Sequence, residues 1–258
     1  MNKPDIHLIA LDLDGTLLNS KKQLSPRNLA ALTRAAELGI EIVPATGRFY
    51  GGMPDFIRAL PFLHYALTIN GAQVCAVPNC DPIYKAEIPW QDAVSLLRYL
   101  DKWDVTYDCY AENAAWITAS MKARVHEYVR DPIYLSMIQR LREPVEDLAA
   151  FLTERRLDVQ KVQVYPGSPE KRRALLQALP DSVHIVPCIT MNQKFVVAHD
   201  NRRKPQDFTQ MVIVGQGQGF DRFFRNRIQI IAHRILDSTM LLCKGNDGIH
   251  AGFSQRCI

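Results

Sequence analysis

Two aspartates one residue apart, Asp12 and Asp14, follow an apolar run near the beginning of the chain. The run Ile6–Leu11 is typical of a buried strand. Because residues i and i+2 of an extended chain point the same way, both carboxylates are expected to project from the carboxyl end of this strand. Open α/β sheets bind ligands at that end. Carboxylates this close repel each other unless one keeps its proton or a cation lies between them.

The residues around this pair suit phosphoryl transfer. Mg2+ binds one or two carboxylates together with phosphate oxygens and water, so Asp12 and Asp14 are candidate metal ligands. Gly15 lets the backbone turn tightly and present N–H groups to an anion, and Thr16 follows it directly. A bare Asp-x-Asp pattern also fits an acidic strand-to-turn junction. The longer segment Asp-Leu-Asp-Gly-Thr-Leu-Leu favours a site that transfers a phosphoryl group to an aspartate nucleophile.

Strand-like segments alternate with helices after this pair. Ser25 and Pro26 are typical of a helix start, and Gly39 is typical of its end. Strands are predicted at Ile40–Val43 and Tyr65–Ile69. Strand, helix and strand at this spacing favour parallel pairing with right-handed crossovers. The carboxyl ends of all three strands are therefore expected to form one cleft.

The second and third predicted strands end in polar or Gly-containing segments. Thr46, within Pro-Ala-Thr-Gly-Arg, has a hydroxyl that can bind a phosphoryl oxygen, although on its own it fits a helix cap or a turn equally well. Arg48 has a guanidinium suited to phosphate, or to a salt bridge at the surface. Asn70 and Gly71 form a dipeptide that is common in ordinary turns. Beside the acidic pair, these residues favour a phosphate site.

The segment around Asp12 and Asp14 closely resembles the first motif of the haloacid dehalogenase-like (HAD) phosphohydrolases. The segments around Thr46 and Asn70 resemble its second and third motifs. The resemblance implies that Asp12 is the nucleophile that forms an aspartyl-phosphate, and that Asp14 is the acid/base. It also implies that both hold Mg2+, Asp14 through its main-chain carbonyl, and that Thr46 binds the phosphoryl group. Further substrate contacts are expected from Gly15, Thr16, Gly47, Arg48, Asn70 and Gly71.

The middle of the chain, residues 83–189, mixes strands and helices and resembles the α/β cap of the Cof-like subgroup. The resemblance implies an α/β fold, with a Rossmann-like parallel-sheet core in residues 1–82 and 190–258 and an inserted α/β cap that selects the leaving group. The activity it implies is Mg2+-dependent hydrolysis of small phosphomonoesters such as sugar or cofactor phosphates. A phosphotransferase or mutase on the same scaffold is a further alternative.

The resemblance ends in the last quarter of the chain. The family has a Lys after the cap, then a strand that ends in Gly-Asp with a second Asp four residues later. Here Met211–Gly215 is typical of that strand, but Gln216 and Phe220 stand in the acidic places. Lys194 or Lys204 is the candidate Lys. Residues 190–258 are therefore predicted to be an atypical or degenerate remainder of the core. The alternative function is a catalytically impaired HAD-like protein that binds phosphate ligands or a partner.

Composition excludes several other classes. The chain has 258 residues, of which 47% are apolar and 22% charged, as in soluble globular proteins. It has no apolar stretch near the roughly 20 residues of a membrane span and no signal-peptide pattern. Its six cysteines lack Cys-x-x-Cys spacing, which indicates free thiols in the cytoplasm. The net charge of +4 is unevenly placed, with +5 in residues 188–258, but the cations there are scattered, so we predict no nucleic-acid partner. We also predict no membrane partner, and a monomer or homodimer.

Overall fold

The computed structural model describes residues 6–179 and the backbone of three later strands, Ile185–Pro187, Phe195–Val197 and Met211–Val214. These residues belong to two units. The first consists of residues 6–84 with Met211–Val214, and the second consists of the described residues between them. The predicted fold class, an α/β core interrupted by an inserted α/β unit, is confirmed. The boundaries placed at residues 82 and 189 stay a prediction.

The elements of the first unit alternate between strands and helices before an antiparallel extension. In chain order they are β1 (Leu8–Asp12), α1 (Pro26–Glu37), β2 (Glu41–Ala45), a 3-10 turn (Tyr50–Gly52), α2 (Asp55–Arg58), β3 (Tyr65–Thr68), a 3-10 turn (Ile69–Gly71), β4 (Gln73–Ala76) and β5 (Asp81–Lys85).

The elements of the second unit follow directly. They are α3 (Trp90–Leu100), β6 (Thr106–Ala111), β7 (Ala114–Thr118), α4 (Ala119–Tyr128), α5 (Pro132–Leu141), β8 (Glu143–Val145), α6 (Leu148–Arg155), β9 (Lys161–Tyr165), α7 (Pro169–Ala178), β10 (Ile185–Pro187) and β11 (Phe195–Val197). The chain then returns to the first unit with β12 (Met211–Val214).

The first unit is built on a six-stranded sheet with the order β12-β1-β2-β3-β4-β5. β1 lies between β12 and β2 and is parallel to both, with Leu8 opposite Met211 on one side and Glu41 on the other. β3 is parallel to β2, whereas β4 is antiparallel to β3. The predicted parallel pairing of the first three strands is confirmed, so their carboxyl ends lie at the same edge of the sheet.

The sequence explains the central position of β1. Leu8, Ala10 and Leu11 are at most 2% exposed, as expected for a parallel strand covered on both faces. The helix that returns the chain to the sheet is capped as predicted. Ser25 accepts a hydrogen bond from the N–H of Asn28 at 3.1 Å, and Gly39, just beyond the end of α1, has a φ of +80°.

The sheet of the second unit has the order β10-β11-β9-β6-β7-β8 and is antiparallel except where β8 joins β7. On one of its faces, apolar side chains of β6 and β9 pack against apolar side chains of α3, α6 and α7. This core includes Leu97, Leu100, Tyr107, Cys109, Leu152, Val162, Val164 and Leu175, none of which is more than 3% exposed.

The opposite face of that sheet buries an ion pair. Arg142, which follows α5, is 2% exposed, and Asp108 of β6 is fully buried. The Arg142 Nε donates to Asp108 Oδ2 at 2.8 Å, and its Nη2 donates to the Tyr110 hydroxyl at 2.5 Å. The Tyr165 hydroxyl also donates to Asp108 Oδ2, at 2.8 Å. Burial favours a neutral Arg142, but the charge of Asp108 outweighs it, so the pKa of Arg142 lies above its ordinary value.

Among the described residues, no helix combines the length and apolar character that crossing a bilayer requires.

Replacing Arg142 by Met is expected to lower the free energy of unfolding by about 3–5 kcal/mol, because it leaves the charge of Asp108 buried and unpaired. Arg98→Met is the control, since Arg98 is 53% exposed and its pairs with Asp101 and Asp147 lie at the surface. For Arg98→Met the loss in unfolding free energy should stay below about 1 kcal/mol. Urea unfolding of the full chain measures both. Equal losses in the two variants would contradict a stabilising role for the buried pair.

Candidate active site

The acidic pair lies where β1 ends and the chain turns back on itself. β1 ends at Asp12, Leu13 is fully buried, and the Asp14 side chain is 35% exposed. The N–H of Leu17 donates to the Asp12 carbonyl at 3.1 Å, which closes the turn. Gly15 occupies the turn with a φ of +88°, a conformation that favours glycine. The loop therefore holds both aspartates at the ligand-binding edge of the sheet.

Asp14 forms a two-pronged ion pair with Arg48. The Arg48 Nε donates to Asp14 Oδ2 and its Nη2 donates to Oδ1, each at 2.8 Å. The remaining nitrogen, Nη1, donates to the carbonyl of Gly52 at 3.1 Å. The Arg48 side chain is only 11% exposed, so this is not the surface salt bridge considered from the sequence. A planar guanidinium that binds both carboxylate oxygens fixes the loop after β2 against the loop after β1.

A second cation on Asp14, Lys22, was missed by the sequence analysis. Its Nζ donates to Asp14 Oδ1 at 2.8 Å. Lys22 reaches this position because Asn19 closes a turn: the Asn19 Oδ1 accepts hydrogen bonds from the N–H groups of Lys21 and Gln23, both at 2.9 Å. The signal in the sequence was the Asn-Ser pair shortly after the acidic motif, since Asn side chains stabilise turns of this kind.

The segments after β2 and β3 are joined by backbone hydrogen bonds. The N–H of Thr46 donates to the Leu67 carbonyl at 2.8 Å, and the N–H of Asn70 donates to the Thr46 carbonyl at 3.1 Å. The N–H of Ile69 donates to the Arg48 carbonyl at 2.8 Å. Thr46 is 1% exposed, and its hydroxyl oxygen accepts from the Arg48 N–H at 3.2 Å. The second and third sequence motifs therefore form one structural unit.

Gly47 and Asn70 make close contact within that unit. A Cβ on Gly47 would lie 3.0 Å from both the Oδ1 and the Nδ2 of Asn70. Asn70 itself has a φ of +55° and Gly71 a φ of +90°. Asn and Gly tolerate this left-handed region best, which explains these two residue types at this turn.

The two carboxyl groups have opposite pKa shifts. Burial raises the pKa of Asp12 to about 6, helped by the negative charge of Asp14 and opposed by a hydrogen bond from the Thr16 hydroxyl at 3.1 Å. Burial alone would also raise the pKa of Asp14, but Arg48 and Lys22 outweigh it and lower that pKa to about 2. Asp14 is therefore an anion at neutral pH, and it can donate a proton only after these cations release it.

The predicted site residues fall into two groups. Direct contacts or short loops bring together Asp12, Asp14, Gly15, Thr16, Thr46, Gly47, Arg48, Asn70 and Gly71. Lys194, Lys204, Gln216 and Phe220 lie outside the described residues. Within the described part of the chain, no cluster of three or more His, Cys, Asp or Glu side chains is arranged to hold a metal.

The model of the haloacid dehalogenase-like hydrolase family matches residues 9–213, which include all of these contacts. The chain belongs to this family. The resemblance to HAD proteins and to their Cof-like subgroup is therefore confirmed.

Two bacterial relatives show a partial match. Phosphatase YwpJ of Bacillus subtilis is 35% identical over 109 residues, which are 42% of this chain and 38% of that protein. Pyridoxal phosphate phosphatase YbhA of Escherichia coli is 33% identical over 107 residues, which are 42% of this chain and 39% of that protein. The matched stretch thus spans about two fifths of each relative.

Solved HAD structures match more of the fold. A HAD-like hydrolase from Bacillus subtilis superposes with a TM-score of 0.68, covering 93% of this chain and 89% of that one at 18% identity. A HAD-like hydrolase from Bacteroides thetaiotaomicron has a TM-score of 0.65, covering 88% of this chain and 86% of that one at 23% identity. At these identities the similarity establishes the fold alone.

Gly47→Ala is expected to destabilise the protein through Asn70. The loss in unfolding free energy caused by Gly47→Ala should be about 1 kcal/mol larger in the protein with Asn70 than in the Asn70→Gly variant. Asn70→Gly removes the side-chain amide and still permits a positive φ at this position. The four proteins of this double-mutant cycle are compared by urea unfolding. Additive losses would show that the two side chains do not interact.

Asp12→Asn is expected to stabilise the chelator-treated protein at neutral pH. The pKa of Asp12 in the folded protein, about 6, lies above 3.8, so the folded state binds more protons between these values and loses stability as the pH rises through them. Asn does not titrate. At pH values above the pKa of Asp12 in the folded protein, the free energy of unfolding of the variant should therefore exceed that of the unchanged protein by roughly 1–3 kcal/mol, and at about pH 4 the difference should be small. Urea unfolding at both pH values measures this.

The control is Asp55→Asn, because the Asp55 side chain is 92% exposed. It should give no comparable gain. A gain for Asp12→Asn that is the same at both pH values would contradict the raised pKa.

Proposed function

We propose that this chain is a Mg2+-dependent phosphatase that hydrolyses small phosphomonoesters through an aspartyl-phosphate. The observation that carries this proposal is the pairing at the end of β1, where a half-buried Asp12 lies beside an Asp14 bound by Arg48 and Lys22. Such a site combines a carboxylate nucleophile with positive charge that can stabilise phosphoryl oxygens. Membership of the HAD-like hydrolase family and relatives named phosphatases support it.

In the first step, an oxygen of Asp12 bonds to phosphorus while the bond from phosphorus to the ester oxygen breaks. Once Arg48 has released it, the Asp14 carboxylate takes up a proton from solvent and gives it to the leaving oxygen. In the second step it takes a proton from the water that cleaves the aspartyl-phosphate. Thr46 and nearby N–H groups bind the phosphoryl oxygens. These roles require positioning and charge stabilisation, which dominate phosphoryl transfer.

Arg48 has two uses in this scheme. In the structure its guanidinium binds both oxygens of Asp14. A phosphate presents the same paired oxygen acceptors to a guanidinium, so a bound substrate competes with Asp14 for Arg48. Transfer of Arg48 from Asp14 to the substrate would free Asp14 to move protons. Lys194 is proposed as a further cation at the site.

The oxygen donors at this site suit Mg2+. The burial that raises the pKa of Asp12 is offset when a cation binds its carboxylate, and the Asp14 main-chain carbonyl is the second proposed ligand. Mg2+ commonly uses few protein ligands and keeps several waters. When bound, the metal neutralises charge on the nucleophile and the phosphoryl group.

The proposed substrates are cofactor or sugar phosphates. Relatives bear the names pyridoxal phosphate phosphatase and HMP-PP phosphatase, the latter from Yersinia pestis and 33% identical over 91 residues. A cytoplasmic location is also proposed, supported by the free thiols of Cys75, Cys80 and Cys109.

The test is hydrolysis of p-nitrophenyl phosphate, followed by a panel of cofactor and sugar phosphates, with Mg2+ or with a chelator. Turnover should require Mg2+, and Asp12→Asn should lower it at least about a thousandfold, because the nucleophile is lost. Asp55→Asn, an exposed change of the same type, should retain activity. Unchanged turnover in Asp12→Asn would refute the nucleophile assignment.

The second candidate is a protein that binds phosphate ligands without turnover. Gln216 and Phe220 in the acidic places favour it, as does the engagement of Asp14 by two cations. Calorimetric titration with inorganic phosphate, run beside the hydrolysis assay, separates the two. Binding that Arg48→Ala abolishes, without any Mg2+-dependent hydrolysis, would favour this candidate over the phosphatase.

A further inference from the structure

Two cysteines meet at the hairpin that joins β4 to β5. Cys75 lies within β4, and Cys80 immediately precedes β5. Both are free thiols, and their Sγ atoms are 2.9 Å apart. The described part of the first unit contains these two cysteines, and they are in direct contact with each other.

Neighbouring residues hold the two thiols in place. Cys75 is paired with Ala66 of β3, which fixes the backbone of β4. The Gln73 side chain donates from its Nε2 to the Cys80 Sγ at 3.2 Å. Both cysteines belong to an apolar cluster that also contains Tyr50. Cys75 is fully buried, whereas Cys80 is 9% exposed, so a reagent from solution reaches Cys80 first.

We propose that Cys75 and Cys80 form a reversible disulfide when the protein meets a small-molecule disulfide such as oxidised glutathione. A disulfide has a sulfur–sulfur distance of about 2.05 Å. Bonding would therefore bring the two Sγ atoms less than about 1 Å closer, a small adjustment within one hairpin. This redox site is separate from the proposed phosphatase chemistry and does not depend on it.

Oxidation would proceed by two exchange steps. The Cys80 thiolate attacks one sulfur of glutathione disulfide, forms a mixed disulfide and releases one glutathione thiolate. The Cys75 Sγ then attacks the Cys80 Sγ, the protein disulfide forms, and the second glutathione leaves as a thiolate. The protein loses two protons and two electrons, and the oxidant gains them as two thiols.

The surroundings of Cys75 favour closure over capture of a second glutathione. The hydrogen bond with Cys80 and burial raise the pKa of Cys75 well above its ordinary value. Reagents in solution do not reach the fully buried Cys75 thiol, whereas the Cys80 Sγ lies only 2.9 Å from it, so its reaction partner is Cys80. A disulfide here closes a short loop, residues 75–80, and restricts the unfolded chain, so the oxidised protein should melt about 5 °C higher.

Mass spectrometry of the full chain tests this after treatment with oxidised glutathione. Cys188, Cys243 and Cys257 are first replaced by Ser, which leaves the three described cysteines. After denaturing alkylation, the peptide containing residues 75–80 should lack both alkyl groups and weigh less by two hydrogens. Dithiothreitol should restore both thiols and remove the rise in melting temperature.

Cys109 is the internal control, because it is fully buried in the second unit and should be alkylated in every sample. In Cys75→Ala, the second step cannot occur, so Cys80 should retain glutathione. Two results in the protein that retains Cys75 and Cys80 would refute the redox site. One is full alkylation of both cysteines after oxidation, and the other is glutathione that remains on Cys80 while Cys75 is alkylated. These readouts do not involve turnover, so their result is separate from that of the phosphatase assay.

Discussion

The ion pair between Asp14 and Arg48 is the interaction on which the candidate site depends. These residues are 34 positions apart, yet two hydrogen bonds of 2.8 Å join them. Backbone hydrogen bonds from Asn70 to Thr46 and from Ile69 to Arg48 then attach the loop after β3. The loops after three parallel strands thus form one continuous structure. Parallel strands place these loops at one edge of the sheet, and the ion pair and the hydrogen bonds hold them together there.

The same ion pair determines how charge is distributed. Asp12 and Asp14 lie two residues apart, and burial opposes ionisation of both. Arg48 and Lys22 both bind Asp14, and Thr16 is the described side chain that hydrogen-bonds Asp12. The two acids therefore have pKa values of about 6 and about 2. Such a separation is the physical basis on which paired carboxyl groups take different roles in one site.

The two units bury polar groups by different means. In the second unit, alternation along β6 places Cys109 on the apolar face and Asp108 with Tyr110 on the other, where Arg142 neutralises the buried charge. In the first unit, away from the candidate site, the hairpin between β4 and β5 buries a pair of thiols. A buried thiol carries no charge when its pKa is raised, so it needs no counterion. This difference makes the hairpin of the first unit a place where oxidation can change the covalent structure.

Much of the fold was visible in local patterns. The apolar run before Asp12 predicted β1, and the Ser25-Pro26 pair predicted the start of α1. The strand at Met211–Val214 was also predicted, and the structure pairs it with β1. In contrast, β4 and β5 were not predicted, because each is only four or five residues long and lies among turn-forming residues.

The sequence by itself determined the family, the acidic pair and the three motifs, because these depend on residue type and short spacing. Only the tertiary structure decided that Arg48 and Lys22 bind Asp14 and that Cys75 meets Cys80. A guanidinium or an ammonium on a long side chain can pair with any acid within reach, and the sequence does not state which acid that is. The partner is chosen by the way strands and turns fold together, so charge balance at the site is a property of the folded chain.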